Sequence, residues 1–228
     1  LLLLVIWGWV DLRVRDPLVD LRTSSRGAVL FVNLASLGMG FALFTSNVAF
    51  PQLLQLPEAA GGLGLALLPA SLVIMPSGLA MLVISPVAGR LERRFGAKPL
   101  LVASGLILAL TYLLSAMLPG AVWQIVVLNV VLGVGIGLGF AAVPTIILQS
   151  VPPSESGSAN GLNTLMRSLG IAIASALVSV VLAQSARVID GASVPSLEGF
   201  RAAFLCAVVA AVICTVFALY VRTPRPTR

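Results

Sequence analysis

Long apolar segments without ionised side chains dominate this chain and limit what it can fold into. Two of them flank the basic segment from Gly89 to Pro99, which holds four cations and one anion. A hydrocarbon layer about 30 Å thick needs roughly 20 helical residues to cross it, and both flanking segments reach that length. Hydrophobic residues make up 59% of the chain and charged residues only 10%, far below the charged share of soluble domains. The sequence therefore predicts an all-α membrane protein.

Polar turns divide the chain into a series of predicted membrane helices. Residues 1–10, with Trp7 and Trp9 placed at the membrane interface, are predicted to be the end of a cut helix. Residues 11–26 are predicted to form a cytoplasmic loop, and residues 222–228 a cytoplasmic tail. Between them, residues 27–221 are predicted to form a six-helix bundle. Its helices are predicted at 27–56, 65–88, 99–118, 121–149, 155–183 and 200–221.

The distribution of positive charge predicts the orientation of the bundle. The net charge is +6, and of the 14 Lys and Arg residues only Arg187 and Arg201 fall on one side of the predicted membrane. Loops rich in Lys and Arg face the cytoplasm, so the other cations mark the cytoplasmic side. These cations are dispersed among the spans and lack interleaved aromatic residues, which argues against binding to nucleic acid.

Polarity repeats every three helices. The first and fourth helices carry the most polar residues, the third and sixth are nearly apolar and are predicted to face lipid, and the second and fifth are rich in small residues that suit close packing. A series of one polar, one small-residue-rich and one apolar helix that occurs twice predicts two inverted three-helix repeats around a central cavity.

The basic segment also carries a family resemblance. It resembles the loop G-x-x-x-D-R-x-G-x-R-R of major facilitator transporters, of which it keeps Gly89, Arg94, Gly96 and Lys98. Arg93 takes the place of the aspartate in that pattern. Arg90 is a second arginine expected to hold helix ends together on the cytoplasmic side.

Three further stretches resemble the carboxy-terminal half of fourteen-span proton-coupled drug exporters. They are Asp16 to Arg22, then Leu67 to Pro69 with Val83 to Arg90, and finally Val151 to Pro153 with Ser158 to Gly170. The resemblance implies a half of a major facilitator fold that works by alternating access with a missing amino-terminal half. It implies export of hydrophobic or amphipathic small molecules, with protons as the coupling ion.

The implied location is the bacterial cytoplasmic membrane, which the excess of arginine over lysine and the many alanines also favour. No Asp or Glu falls in the apolar core of a predicted span, so the proton-carrying carboxylate is expected in the missing half. The alternative function is a non-transporting membrane sensor or scaffold that reuses the bundle. The sequence of the region before Leu1 would discriminate between these two functions.

Polar residues on two helices are the candidate substrate contacts. One face of the first helix carries Asn33, Ser36, Gly40 and Asn47. This stripe predicts either the lining of a cavity or a seam of interhelical hydrogen bonds. On the fourth helix, Asn129 and Phe140 fall on one stripe. Phe140 is interpreted either as a stacking surface for an aromatic substrate or as part of the core.

Arg167 is the one cation well inside a predicted span, roughly 18 Å along the fifth helix. A cation at such depth is a candidate functional residue, which would bind an anionic group or pair across the interface between halves. The alternative is that its side chain reaches back to the cytoplasmic headgroups.

Glycines at spacings of four predict close helix packing rather than nucleotide binding. In the run from Gly133 to Gly139, no strand precedes the glycines and no acidic residue follows at ribose distance. Gly133 and Gly137 in the fourth helix, and Gly157 and Gly161 in the fifth, are therefore predicted packing positions. The chain has no histidine and no pair of carboxylates within a span, so we expect no catalytic residues, metal or cofactor.

Overall fold

Six long helices make up nearly all of the structure. The computed structural model describes residues 27–117, 120–189 and 192–221. The helices are α1 (Gly27–Gln55), α2 (Leu67–Phe95), α3 (Ala97–Met117), α4 (Val122–Ser150), α5 (Ser156–Gln184) and α6 (Leu197–Tyr220). Each is long and apolar enough to cross a membrane. Two strands, β1 (Arg187–Ile189) and β2 (Ala192–Val194), pair antiparallel between α5 and α6.

The predicted helices are confirmed, with one clear difference at the end of α2. Residues 89–99 were predicted to form a loop, but the helix continues to Phe95 and only Gly96 separates it from α3. Leu, Glu and Arg are good helix formers, so nothing before Gly96 ends the helix. Gly96 itself has a φ of 87°, a conformation that glycine adopts at little cost. The predicted hairpin loop is therefore a single-residue break between two helices.

Three predicted segments lie outside the described residues. They are the end of a cut helix at residues 1–10, the cytoplasmic loop at 11–26 and the cytoplasmic tail at 222–228. A further difference concerns the polar segment between α5 and α6, where the strands β1 and β2 form a short hairpin that the sequence did not predict.

The helices pack as two equivalent repeats, α1–α3 and α4–α6. The second helix of each repeat packs mainly on the first helix of the other, so that α2 lies along α4 and α5 lies along α1. Likewise α3 packs on α4 and α6 on α1, while α3 and α6 contact each other. Because each repeat has an odd number of spans, the second is inverted relative to the first. The fold is a six-helix bundle of two inverted three-helix repeats.

Two buried apolar clusters fill the bundle, one toward each end. The first is built around Phe50, Tyr112 and Phe204, and the rings of Phe50 and Phe204 have centroids 5.1 Å apart. The Tyr112 hydroxyl donates to the Ala42 carbonyl, so the buried phenol is satisfied. The second cluster contains Leu101 and Ile146.

The six helices differ greatly in how much of their surface this bundle covers. In the most apolar stretch of each helix, 56% of α1 and 61% of α4 are buried, against 6% of α2 and 22% of α5. Large apolar side chains of α2 such as Leu72, Leu79 and Leu82 are exposed. The sequence assigned the lipid-facing role to the third and sixth helices, but α2 and α5 present the most uncovered apolar surface.

Candidate functional site

A small polar cavity lies between α1, α4 and α5. Its volume is about 110 Å³, enough for several water molecules or a small chemical group. It is lined by Ser36, Met39, Phe140, Val143, Pro144, Asn160, Asn163, Thr164 and Arg167. Helices of both repeats contribute, and two lining residues, Met39 and Val143, belong to the second apolar cluster.

One wall of the cavity is a buried hydrogen-bond cluster between α1 and α5. The side-chain amide of Asn163 donates to Asn33 Oδ1 at 3.0 Å and is 2.7 Å from Ser36 Oγ. All three side chains are almost fully buried. The polar stripe of α1 is therefore both an interhelical seam and, at Ser36, part of the cavity lining. Asn163 was not among the predicted substrate contacts, although it precedes Arg167 by one helical turn on the same face.

Close contact of the two backbones makes this cluster possible. A Cβ atom on Gly40 of α1 would overlap the carbonyl of Arg167, and one on Gly170 of α5 would overlap the carbonyl of Leu37. Only glycine allows these contacts, which bring short polar side chains of the two helices within hydrogen-bond distance. The same contact fixes the backbone of Arg167 against α1.

The side chain of Arg167 extends over the ring of Phe140. Its guanidinium carbon lies 5.1 Å from the ring centroid, a distance at which the cation is attracted to the face of an aromatic ring. Among the described residues no carboxylate lies within 4 Å of Arg167, since the one ion pair there joins Arg187 and Glu198. The two residues thus present a charged and an aromatic surface to the same cavity.

Pro144 interrupts the hydrogen-bond ladder of α4 beside the cavity. Proline has no backbone N–H, so the carbonyl of Phe140, four residues earlier, lacks its usual helical donor. Both Phe140 and Pro144 line the cavity. The α4 wall therefore combines an aromatic ring with a break in the regular helical hydrogen bonding.

Two predicted substrate contacts lie elsewhere. Asn47 is exposed near the other end of α1, and it is not among the residues that line the cavity. Asn129 is buried, but its side-chain amide donates to the carbonyl of Ile125 in its own helix at 3.0 Å. The structure thus brings together Ser36, Phe140 and Arg167 around the cavity, with Asn33 directly behind it.

The predicted packing glycines divide into two pairs. A Cβ on Gly133 would overlap the Ser77 carbonyl, and one on Gly137 would overlap the Ile84 side chain, so both lie in tight contact with α2. Gly157 and Gly161 have nothing from the described residues within 4 Å of such a Cβ. The packing predicted for this second pair is not made within the bundle.

The basic motif occupies the adjoining ends of α2 and α3. Gly89, Arg90 and Arg94 lie in the last two turns of α2, Gly96 is the break, and Lys98 lies in the first turn of α3. The Arg94 guanidinium lies over Phe95, 5.2 Å from the ring centroid. Glu92, in the same segment, accepts a hydrogen bond from Thr145 of α4 at 3.1 Å, a contact that the sequence did not predict.

Six membrane helices in two inverted repeats, with a polar cavity where the repeats meet, match the repeat architecture of secondary transporters. The model of the Major Facilitator Superfamily matches residues 29–228, and the chain belongs to that family. It is therefore a multi-pass cell membrane protein of a transporter family and not an enzyme.

Relatives with known names come from several bacteria. The chain is 27% identical over 185 residues to the multidrug resistance protein Stp of Mycobacterium tuberculosis, covering 78% of this chain and 32% of that protein. It is 29% identical over 165 residues to a tetracycline resistance determinant of Streptomyces rimosus, covering 71% of this chain and 46% of the relative. The chain thus spans less than half of the length of these relatives.

A solved structure confirms the fold. The crystal structure of the peptide transporter POT in complex with sulfate matches with a TM-score of 0.68 at 20% identity. The match covers 84% of this chain and 37% of that transporter. At this level of identity the likeness concerns the arrangement of the helices alone.

Proposed function

We propose that this chain is the carboxy-terminal half of a proton-coupled exporter of hydrophobic or amphipathic small molecules. The observation that carries the proposal is the cavity at the junction of the repeats, where Arg167 and Phe140 lie side by side. Transporters built from such repeats bind their substrates at the repeat interface, near the midplane of the bilayer. The names of the relatives, which refer to multidrug and tetracycline resistance, support export.

The lining of the cavity favours a particular kind of substrate. Phe140 and Met39 offer apolar contact, Arg167 offers a cation, and Ser36 and Thr164 offer hydroxyl groups. A flat, mainly apolar molecule with a partial or full negative charge would satisfy all three kinds of group. The volume of about 110 Å³ admits only part of such a molecule, so the rest would contact a second bundle.

The uncovered faces of α2 and α5 support the presence of that second bundle. They are long apolar surfaces that the other helices of this chain leave largely uncovered. The face of α5 includes Gly157 and Gly161. Small residues let helix backbones come close, so these two glycines would pack against helices of the missing amino-terminal half. Alternating access would then open and close the cavity between the two halves.

The test is proton-driven efflux of a fluorescent amphipathic substrate from vesicles that contain the full-length protein. Arg167→Ala should lower efflux by about tenfold, because a stacked cation–ligand contact worth 1 to 2 kcal/mol is lost. Arg167→Lys should be intermediate, since lysine keeps the charge but has no planar guanidinium. Arg201→Ala is the matched control, because Arg201 is an exposed cation in α6 outside the cavity.

Each outcome has a distinct meaning. Unchanged efflux in Arg167→Ala, at equal protein abundance, would show that Arg167 does not contribute to the substrate site. Absence of any substrate flux in the wild-type protein would overturn transport altogether and favour the sensor or scaffold alternative. Substrate flux that does not respond to a proton gradient would support transport but show that protons are not the coupling ion.

A further inference from the structure

Glu92 is a carboxyl group in the contact between α2 and α4, at the end where α2 joins α3. Thr145 Oγ1 lies 3.1 Å from Glu92 Oε2 and 3.4 Å from the carbonyl of Ala141 in its own helix. The other carboxyl oxygen, Oε1, is shielded from solvent and has no hydrogen-bond partner in the described part of the chain. This chain's own atoms already cover Oε1, so a group from another helix would have to displace them to reach it.

The charges around Glu92 do not supply the missing partner. Neither α1 nor α4, both of which contact α2, contains an acidic or basic residue. Lys98 is the one cation of α3, and within the described ranges neither it nor any arginine lies within 4 Å of a Glu92 oxygen. Arg90, Arg93 and Arg94 are two or fewer positions away on α2 itself, where side chains do not face one another.

An ionised Glu92 would be poorly accommodated in this contact. A negatively charged oxygen that is buried without a hydrogen bond loses its hydration and gains nothing in return. The ionised form also leaves one hydroxyl proton, that of Thr145, to serve two acceptors. A proton on Oε2 removes the negative charge and ends the competition, because the carboxyl can then donate to Thr145 Oγ1 while Thr145 donates to the Ala141 carbonyl.

The geometry points to Glu92 as a proton-binding site of this bundle, occupied while α2 and α4 are in contact at this end. The proton comes from water at that end of the bundle and returns to it, so no other reactant is needed.

The experiment is an infrared titration of the full-length protein in lipid, which follows the carbonyl band of protonated carboxyl groups. The wild-type protein should retain, at pH values above the 4.3 or so at which an ordinary glutamate ionises, a band that Glu92→Gln lacks. Glu58→Gln is the matched control, because Glu58 is an exposed glutamate in the turn after α1. At the same pH values its spectrum should equal that of the wild type.

A second variant tests the role given to the hydroxyl. Thr145→Val keeps the shape of the side chain but removes the one donor to the ionised carboxyl. The band should then persist to a higher pH, since the hydrogen bond that the ionised carboxyl loses is stronger than the one that the protonated carboxyl loses. A band that disappears at the same pH as in the wild type would reject the role of Thr145.

One result would overturn the proton site. It is a spectrum of Glu92→Gln that is identical to the wild-type spectrum at every pH above the pKa of an ordinary glutamate, about 4.3. If Glu92→Gln gives no folded protein, Glu92→Asp keeps a carboxyl and must shift the same band in frequency. An unshifted band in that variant would also overturn the site. The measurement detects a proton on a side chain and needs no substrate flux, so its failure is distinct from failure of the proposed transport.

Discussion

The contact between α1 and α5 and the contact between α2 and α4 occupy equivalent places in the two repeats, yet their chemistry differs. In the first, Gly40 and Gly170 bring the helices together beside the buried polar cluster of Asn33, Ser36 and Asn163. In the second, Gly133 and Gly137 bring the helices together among apolar side chains. Its one polar side-chain pair across the contact is Glu92 with Thr145, near one end.

The backbone symmetry of the repeats therefore does not extend to the side chains that lie in their contacts. Glycines permit close packing in both contacts, so packing alone does not explain why polar residues are retained in the first. The cavity with Arg167 and Phe140 adjoins only that first contact. The α1–α5 contact thus combines packing with a candidate substrate site, while the α2–α4 contact is a packing surface with the proposed proton site at one end.

The largest expected effect comes from adding one methyl group to either contact. Gly170→Ala and Gly133→Ala should each destabilise the full-length protein by about 1 to 3 kcal/mol, because the new Cβ meets a backbone carbonyl that cannot move alone. Gly89→Ala, which has open space around it, should be neutral or stabilising by up to about 1 kcal/mol. Unfolding in mixed detergent measures all three. Similar losses for the first two would show that the contacts are equivalent in packing.

A smaller effect should separate the two contacts. Asn163→Ala removes hydrogen bonds between helices and should cost about 1 to 2 kcal/mol, since Asn33 is left buried without its donor. Ser77→Ala in α2 should cost less than about 0.5 kcal/mol, because the Ser77 hydroxyl donates to the carbonyl of Ile74 in its own helix at 2.8 Å. If the two variants lose the same free energy of unfolding in this assay, the polar cluster does not stabilise the α1–α5 contact more than the α2–α4 contact is stabilised.

The double variant Asn163→Ala with Ser36→Ala sharpens this measurement. The free energy of unfolding that the double variant loses should be smaller, by about 0.6 kcal/mol, than the sum of the losses of the two single variants. This difference is the usual coupling energy of one interhelical hydrogen bond in a membrane. Additive costs would mean that the 2.7 Å contact between these side chains contributes no coupling.

The smallest effect is expected at the far end of the α1 stripe. Asn47 is exposed and away from the cavity, so Asn47→Ala should change stability by less than about 0.5 kcal/mol and leave efflux unchanged. Loss of efflux at normal stability would show that the functional surface of α1 continues beyond the α1–α5 contact. Vesicle efflux and detergent unfolding of the same preparation distinguish these results.

The sequence predicted the helices and the repeats because each depends on regular spacing of apolar and polar residues. The end of α2 was misplaced because charge was interpreted as a loop, although Glu92 and its arginine neighbours favour a helix as strongly as leucine does. The contact of Glu92 with Thr145 joins residues 53 positions apart, and no periodicity within one helix reveals it.

The candidate site was predictable in part for the same reason. Arg167 and Ser36 stood out because charge or polarity within a span is unusual, and Phe140 because it lies on a polar stripe. Whether such a stripe faces a cavity depends on which helix is adjacent, and α1 has α5 as its neighbour rather than α2. Asn47 and Gly161 are examples, since helical spacing shows which residues share a face of a helix but not which element packs against that face.

The crossed pairing of the repeats has a consequence for how the protein is made. When α2 leaves the ribosome, its main partner α4 has not yet been synthesised, and it has little contact with α1. The first three helices must therefore wait in the bilayer without most of their final neighbours. The pairings of α1 with α5 and of α1 with α6 each close a long stretch of chain, whereas α3 and α4 follow each other closely in the chain. A nascent chain that stops before α4 is complete would therefore leave α2 without its main partner.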